Sequence, residues 1–152
     1  HYLGHVAQVL RNGPYLEVLE PLERAIAYLQ HTEDKATELW CDGCMMGNFT
    51  VDLARGHPAV RTKLKLLFIR MEEQLLTIFE PMVAATPCCC LDARQLARQY
   101  LCTLQGAVLL GQAHGDIGIT QTCIRNFRRL LEAMRSDGPL CTTLDCTLAV
   151  AD

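Results

Sequence analysis

Apolar residues recur at three- and four-residue steps along nearly the whole chain, and strand-like alternation is almost absent. That pattern predicts an all-α bundle of five to six helices. The cleanest stripe lies between Pro58 and about Met82. There Val60, Leu64, Leu67, Phe68, Met71, Leu75, Ile78 and Phe79 share one side, while Arg61, Lys63, Lys65, Arg70, Glu72 and Glu73 fall mostly elsewhere. Pro81 and Pro87 are expected to end this helix. Upstream, Gly13-Pro14 is a start signal for a helix from roughly Pro14 to Gln30, with Leu16, Leu19, Leu22, Ile26 and Leu29 as its stripe. Pro21 predicts a kink or a break within it. Residues His1 to Leu10 read as the end of an earlier helix. Thr32 to Cys41 is polar and mixed and reads as a loop or a short turn. A short helix follows near Cys44 to Ala54, with Met46, Phe49 and Leu53 on one side.

The last two helices carry the most information. Asp92 is a candidate N-cap for a helix ending near His114, with Gly115 placed for the C-cap. Asp116 caps the final helix at once. Its stripe is Thr120, Cys123, Ile124, Phe127, Leu130, Leu131 and Met134, and Gly138-Pro139 terminates it. So short a connection makes these two long helices antiparallel neighbours. The first of the pair has two apolar faces. Ala93, Leu96, Ala97, Tyr100, Leu101, Leu104, Ala107, Val108 and Gly111 form one; Cys102, Gly106, Leu109 and Ala113 form a second, lined by small residues. Glycine inside a helix costs about 1 kcal/mol relative to alanine, which makes sense at Gly106 if another backbone approaches there. Cys102, Gly106, Leu109 and Ala113, with Cys123, Phe127 and Leu130 of the last helix, are therefore the candidate residues of a four-helix homodimer interface. The alternative is a monomeric bundle in which this helix is simply central. Residues 1–137 form the expected domain; 138–152 have no clear period and read as a loosely ordered tail.

Composition narrows the class. Of 152 residues, 50% are hydrophobic and 20% charged, which is globular composition with room for one core. The net charge of −3 makes this segment a poor surface for nucleic acid. No apolar run approaches the roughly 20 residues of a membrane span, and the first residues hold no apolar leader segment, so no membrane partner is expected. The chain begins at a histidine and is read as part of a longer protein. Nine cysteines, an odd number without the spacing of a small secreted scaffold, point to free thiols in a reducing cytoplasm.

Those thiols are the candidate chemistry. Cys41-Asp42-Gly43-Cys44 is a C-x-x-C pair that suits a redox site, half a metal site or an electrophile sensor. A structural zinc site needs four ligands, and a second pair is missing unless Cys88, Cys89 or Cys90 folds back. Those three adjacent thiols could instead chelate a soft ion. The plainer reading leaves Cys44 as a small buried hydrophobe and Cys88–Cys90 as an ordinary loop. No metal site or cofactor is expected. His1 and His5 lack a third ligand, and His57 and His114 read as caps or surface residues, so no catalytic residues are assigned and no enzyme is expected.

Gly43-Cys44-Met45-Met46-Gly47-Asn48 resembles the Gly-Cys-x-x-Gly-Asn signature in the regulatory domain of TetR/AcrR-family transcriptional regulators. The Asp92–Leu110 segment, with Leu104-Gln105-Gly106-Ala107 at its centre, resembles that family's penultimate helix, and Pro21–Leu29 resembles the helix leading into its pocket. The resemblance covers most of residues 1–135, in the family's order. It implies an all-α domain that binds a small-molecule effector and dimerises. It also implies a parent repressor that contacts DNA only through an N-terminal helix-turn-helix absent from this sequence. Met45, Met46, Phe49, Phe68, Met71, Leu75, Tyr100 and Leu104 are then the candidate walls of a pocket for a largely apolar ligand, with Trp40 beside them. Cys41, Cys44, Cys88, Cys89 and Cys90 remain candidate sensor thiols on the same scaffold.

Overall fold

The computed structural model describes residues 2–86 and 91–134, and side chains from residue 4 onward within them. The described residues are all-helical and contain no strand. Six α-helices follow one another: α1 (Tyr2–Arg11), α2 (Pro21–Trp40), α3 (Met45–Leu53), α4 (Pro58–Ala85), α5 (Ala93–His114) and α6 (Ile117–Ala133). A single 3₁₀ turn, Pro14–Glu17, joins α1 to α2. Helix α2 is central and packs on α1, α4 and α6; α5 lies between α4 and α6.

The N-terminal third departs from its expected boundaries. Pro21 opens α2 rather than breaking a longer helix. A proline at the first helical position gives up an N–H that has no intrahelical partner. The Glu20 carboxylate accepts from the backbone N–H groups of Leu22 (3.2 Å) and Glu23 (2.6 Å) and caps the turn. Leu16 and Leu19, expected in the stripe, are 55% and 86% exposed. Tyr15 is the buried anchor there, donating its hydroxyl to the Leu10 carbonyl at 2.6 Å.

Helix α2 also continues through Thr32–Trp40, the stretch that reads as a loop. Two of its polar residues are buried rather than solvated, while Asp34, Thr37 and Glu38 stay exposed: Thr32 donates to the Tyr28 carbonyl (2.9 Å), and Glu33 receives Arg125 (2.8 Å) and Arg128 (3.3 Å) from α6. A buried carboxylate needs such partners, since removing its water is costly otherwise. Helix α4 likewise runs past Pro81 to Ala85. Pro81 and Thr77, whose carbonyl loses its helical partner, are both exposed, so water can take that hydrogen bond.

The C-terminal pair forms as expected. Asp92 caps α5 by accepting from the Gln95 N–H at 2.7 Å. Gly115 closes α5 at a φ of 65°, the left-handed region where a side chain would be strained. Asp116 caps α6 through the Gly118 N–H at 2.8 Å. Contacts at Gly111–Asp116, Ala107–Thr120 and Tyr100–Phe127 descend α5 as they ascend α6, so the two run antiparallel. Gly111 permits the approach: a Cβ there would stand 2.9 Å from Thr120 Oγ1 and 3.1 Å from the Asp116 carbonyl oxygen. Phe127, expected on the outer face, is instead buried in the core. Its ring centroid lies 5.0 Å from that of Tyr100 and 6.5 Å from that of Phe79. One turn of α6 decides this: Ile124, Phe127 and Leu131 share the inner face.

Candidate functional site

The loop between α2 and α3 sets one wall of the site. Gly43 has a φ of 87° and donates its N–H to the Trp40 carbonyl at 3.0 Å, turning the chain off the end of α2. Cys44 sits at the N-cap of α3 and is buried. Gly47, in the first turn of α3, faces α5: a Cβ there would stand 2.9 Å from Gln105 Oε1. The Gly43–Asn48 segment and the Leu104–Ala107 segment, almost 60 residues apart, are thus packed together. Both polar atoms of the Gln105 amide are buried and have no hydrogen-bond partner among the described residues.

Beneath this loop lies a chamber of about 270 Å³. Val6, Ala7 and Leu10 of α1 line one side; Trp40, Met46, Leu67 and Met71 line the others. A second chamber of about 410 Å³ adjoins it, lined by Tyr15, Tyr28, Glu73 and Thr77. Leu10, Arg11, Arg70 and Gln74 border both. Both chambers are mainly apolar, and the second carries the larger share of polar groups. Burial raises the pKa of the Tyr15 hydroxyl, with Arg11 opposing it, and burial also raises that of Tyr28. Both phenols are therefore neutral hydrogen-bonding groups at pH 7.

The candidate pocket residues divide. Met46 and Met71 line the smaller chamber, joined by Trp40. Phe68 faces an outer groove of about 250 Å³ between α3 and α5. Leu75, Tyr100 and Leu104 are core residues that line neither chamber: Tyr100 packs edge-on against Phe79, with centroids 6.3 Å apart. Helical periodicity places a residue on the inner side but does not distinguish a core wall from a cavity wall. Met45 is half-buried and Phe49 is exposed, and neither lines a chamber. The residues that sequence reasoning missed are Arg11, Arg70 and Gln74, because long polar side chains on a helix look like solvated surface until two helices bring them together.

Among the thiols, Cys41 is exposed at the end of α2, and Cys44 lines both the smaller chamber and the outer groove. Cys41, Cys44, Cys102 and Cys123 are free. No three His, Cys, Asp or Glu side chains converge on a metal-sized space among the described residues. Cys88, Cys89 and Cys90 lie outside the described residues, as does the 138–152 tail. His5 meets Glu38 at 3.2 Å. No helix among the described residues is long and apolar enough to cross a membrane.

The outer faces of α5 and α6 form the second feature. Cys102, Gly106, Leu109 and Ala113 are all exposed, as is Leu110 beside them. On α6 Leu130 is exposed and Cys123 half-buried along the same side of the helix. A Cβ on Gly106 would meet nothing within 4 Å among the described residues, so no packing among them requires glycine there. Compared with protein-family models, curated proteins and solved structures, the chain matches none.

Proposed function

We propose that this chain is the effector-binding and dimerisation domain of a TetR-like transcriptional repressor, cytoplasmic and not an enzyme. The observation that carries the reading is the apolar strip on α5 and α6. Leu109, Leu110 and Leu130 are each more than half exposed, at 55%, 53% and 66%. A second copy related by a twofold axis would cover the strip on both chains at once, with Gly106 admitting the partner's backbone. The order of the three family-like segments and the adjoining chamber support the same reading. The chamber would hold a small, largely apolar effector beside Trp40, Met46 and Met71. Its occupancy would shift the balance between two dimer geometries, and a helix-turn-helix outside these residues would carry that change to DNA.

Native mass spectrometry of the purified protein tests this reading. A dimer is expected, with a bound small molecule released on denaturation or with a titratable empty chamber. A monomer that takes up no apolar compound would contradict it. A second reading is favoured by one observation, the place of Cys44 in the chamber wall: an electrophile entering the chamber would meet this thiol. Protection of Cys44 from alkylation by a non-reactive chamber occupant would support that variant of the same scaffold.

A further inference from the structure

Two arginines line both chambers. Arg11 at the end of α1 and Arg70 in the middle of α4 border both cavities, and both are exposed at the rim. Arg94 and Arg98 share Glu72, and Arg125 and Arg128 share Glu33. Arg11 and Arg70, by contrast, make no ion pair among the described residues. The Gln74 amide lies against the Arg11 guanidinium, and the orientation that satisfies both has its oxygen accepting from Arg11, a neutral partner that leaves the charge uncompensated. Among the described residues no carboxylate lines the smaller chamber, and Glu73 belongs to the larger one alone. Two cations against one anion leave the junction positive.

We propose that this junction selects an anionic amphiphile, specifically a medium-chain carboxylate. Its alkyl chain would lie against Trp40, Met46 and Met71 and its head between Arg11 and Arg70. The inference rests on the effector-binding reading above and names the chemistry of the effector. The tail fits on volume: about 270 Å³ is nearly twice the ~150 Å³ that accommodates a benzene ring. The head fits on chemistry, because guanidinium donors match a carboxylate in plane and can engage both oxygens. A cationic amphiphile would place its charge against two like charges, and an uncharged one would leave the guanidiniums unused.

Trp40 is the sole tryptophan and lines the smaller chamber, so its fluorescence reports occupancy directly. The experiment titrates the purified protein with decanoate, 1-decanol and decyltrimethylammonium. The wild type, Arg11→Gln and Arg70→Gln are compared, with circular dichroism as the check on folding. Decanoate is expected to saturate the signal at a concentration about tenfold below decanol, the gain that charge-assisted hydrogen bonds confer. Decyltrimethylammonium is expected to bind most weakly. Either substitution should remove most of the decanoate advantage and leave decanol unchanged. Equal binding of decanoate and decanol, or an unaltered decanoate affinity in both variants, would overturn the carboxylate proposal while leaving an apolar effector site standing. Failure of all three compounds to perturb Trp40 would overturn the effector-binding reading and the proposal together.

Discussion

Gly47 of α3 lies directly against the side chain of Gln105 in α5, so that a Cβ at position 47 would stand 2.9 Å from Gln105 Oε1. The contact joins two of the three segments that carry the family resemblance. It gives the glycine a physical reason in steric terms. It also explains why the Gln105 amide is shut away from solvent, with neither polar atom partnered among the described residues.

A double-mutant cycle reads this contact. Gly47→Ala should bring little or no gain in the wild type, because the methyl group must displace a confined amide. In a Gln105→Ala background the same substitution should stabilise by up to about 1 kcal/mol, the helix preference of alanine over glycine. Urea denaturation of the four proteins measures the coupling. Equal effects of Gly47→Ala in both backgrounds would show that the two side chains do not constrain each other.

Tyr100 yields a prediction of the opposite kind. Its hydroxyl is buried near Thr32, whose own hydroxyl donates to the Tyr28 carbonyl and leaves the phenol without a well-formed hydrogen bond among the described residues, while its ring packs against Phe79 and Phe127. An unsatisfied buried hydroxyl carries a desolvation cost of about 1–3 kcal/mol. Tyr100→Phe keeps the ring contacts and removes that cost, so the midpoint of thermal unfolding should stay the same or rise. A fall of several degrees would mean that the hydroxyl is partnered.

Acid should weaken the α4–α5 contact through Glu72. Hydrogen bonding by Arg98 foremost, then by Arg94, holds the Glu72 carboxyl below its usual range, against an opposing effect of burial. The folded state therefore binds this proton less readily than the unfolded chain. The resulting stabilisation is complete above the unfolded value of about 4.3 and is lost as pH falls through the lower folded value. Urea midpoints of the wild type and Glu72→Gln should differ at pH 7 and converge towards pH 3. A constant difference across that range would contradict the assignment. The effect at neutral pH should be modest, since both arginines are more than half exposed, at 51% and 62%.

What the sequence makes legible follows from the range of the interactions involved. The caps at Asp92, Gly115 and Asp116 and the antiparallel turn between α5 and α6 are local, decided within a few residues, and each is where the pattern places it. The Thr32–Trp40 stretch is misread because its helix is secured from far away: the buried Glu33 pairs with Arg125, 92 positions later, and with Arg128. Phe127 and Leu130 are one turn apart, and which of them faces inward depends on where Tyr100 and Phe79 lie. In the chamber, Met46 and Met71 are legible as adaptable apolar residues. Arg11 and Arg70 are not, because their shared cavity exists only once α2 brings α1 and α4 to its two sides.

The central claim, that the outer faces of α5 and α6 meet a second copy of this chain, is tested most directly by analytical ultracentrifugation of the wild type and Gly106→Leu. The wild type should sediment as a dimer, twice the 17.0 kDa chain. Gly106→Leu should shift towards monomer with an unchanged helical circular dichroism spectrum, because a Cβ at position 106 meets nothing within 4 Å among the described residues. A monomeric wild type, or a Gly106→Leu protein that dimerises as tightly as the wild type, would contradict the account.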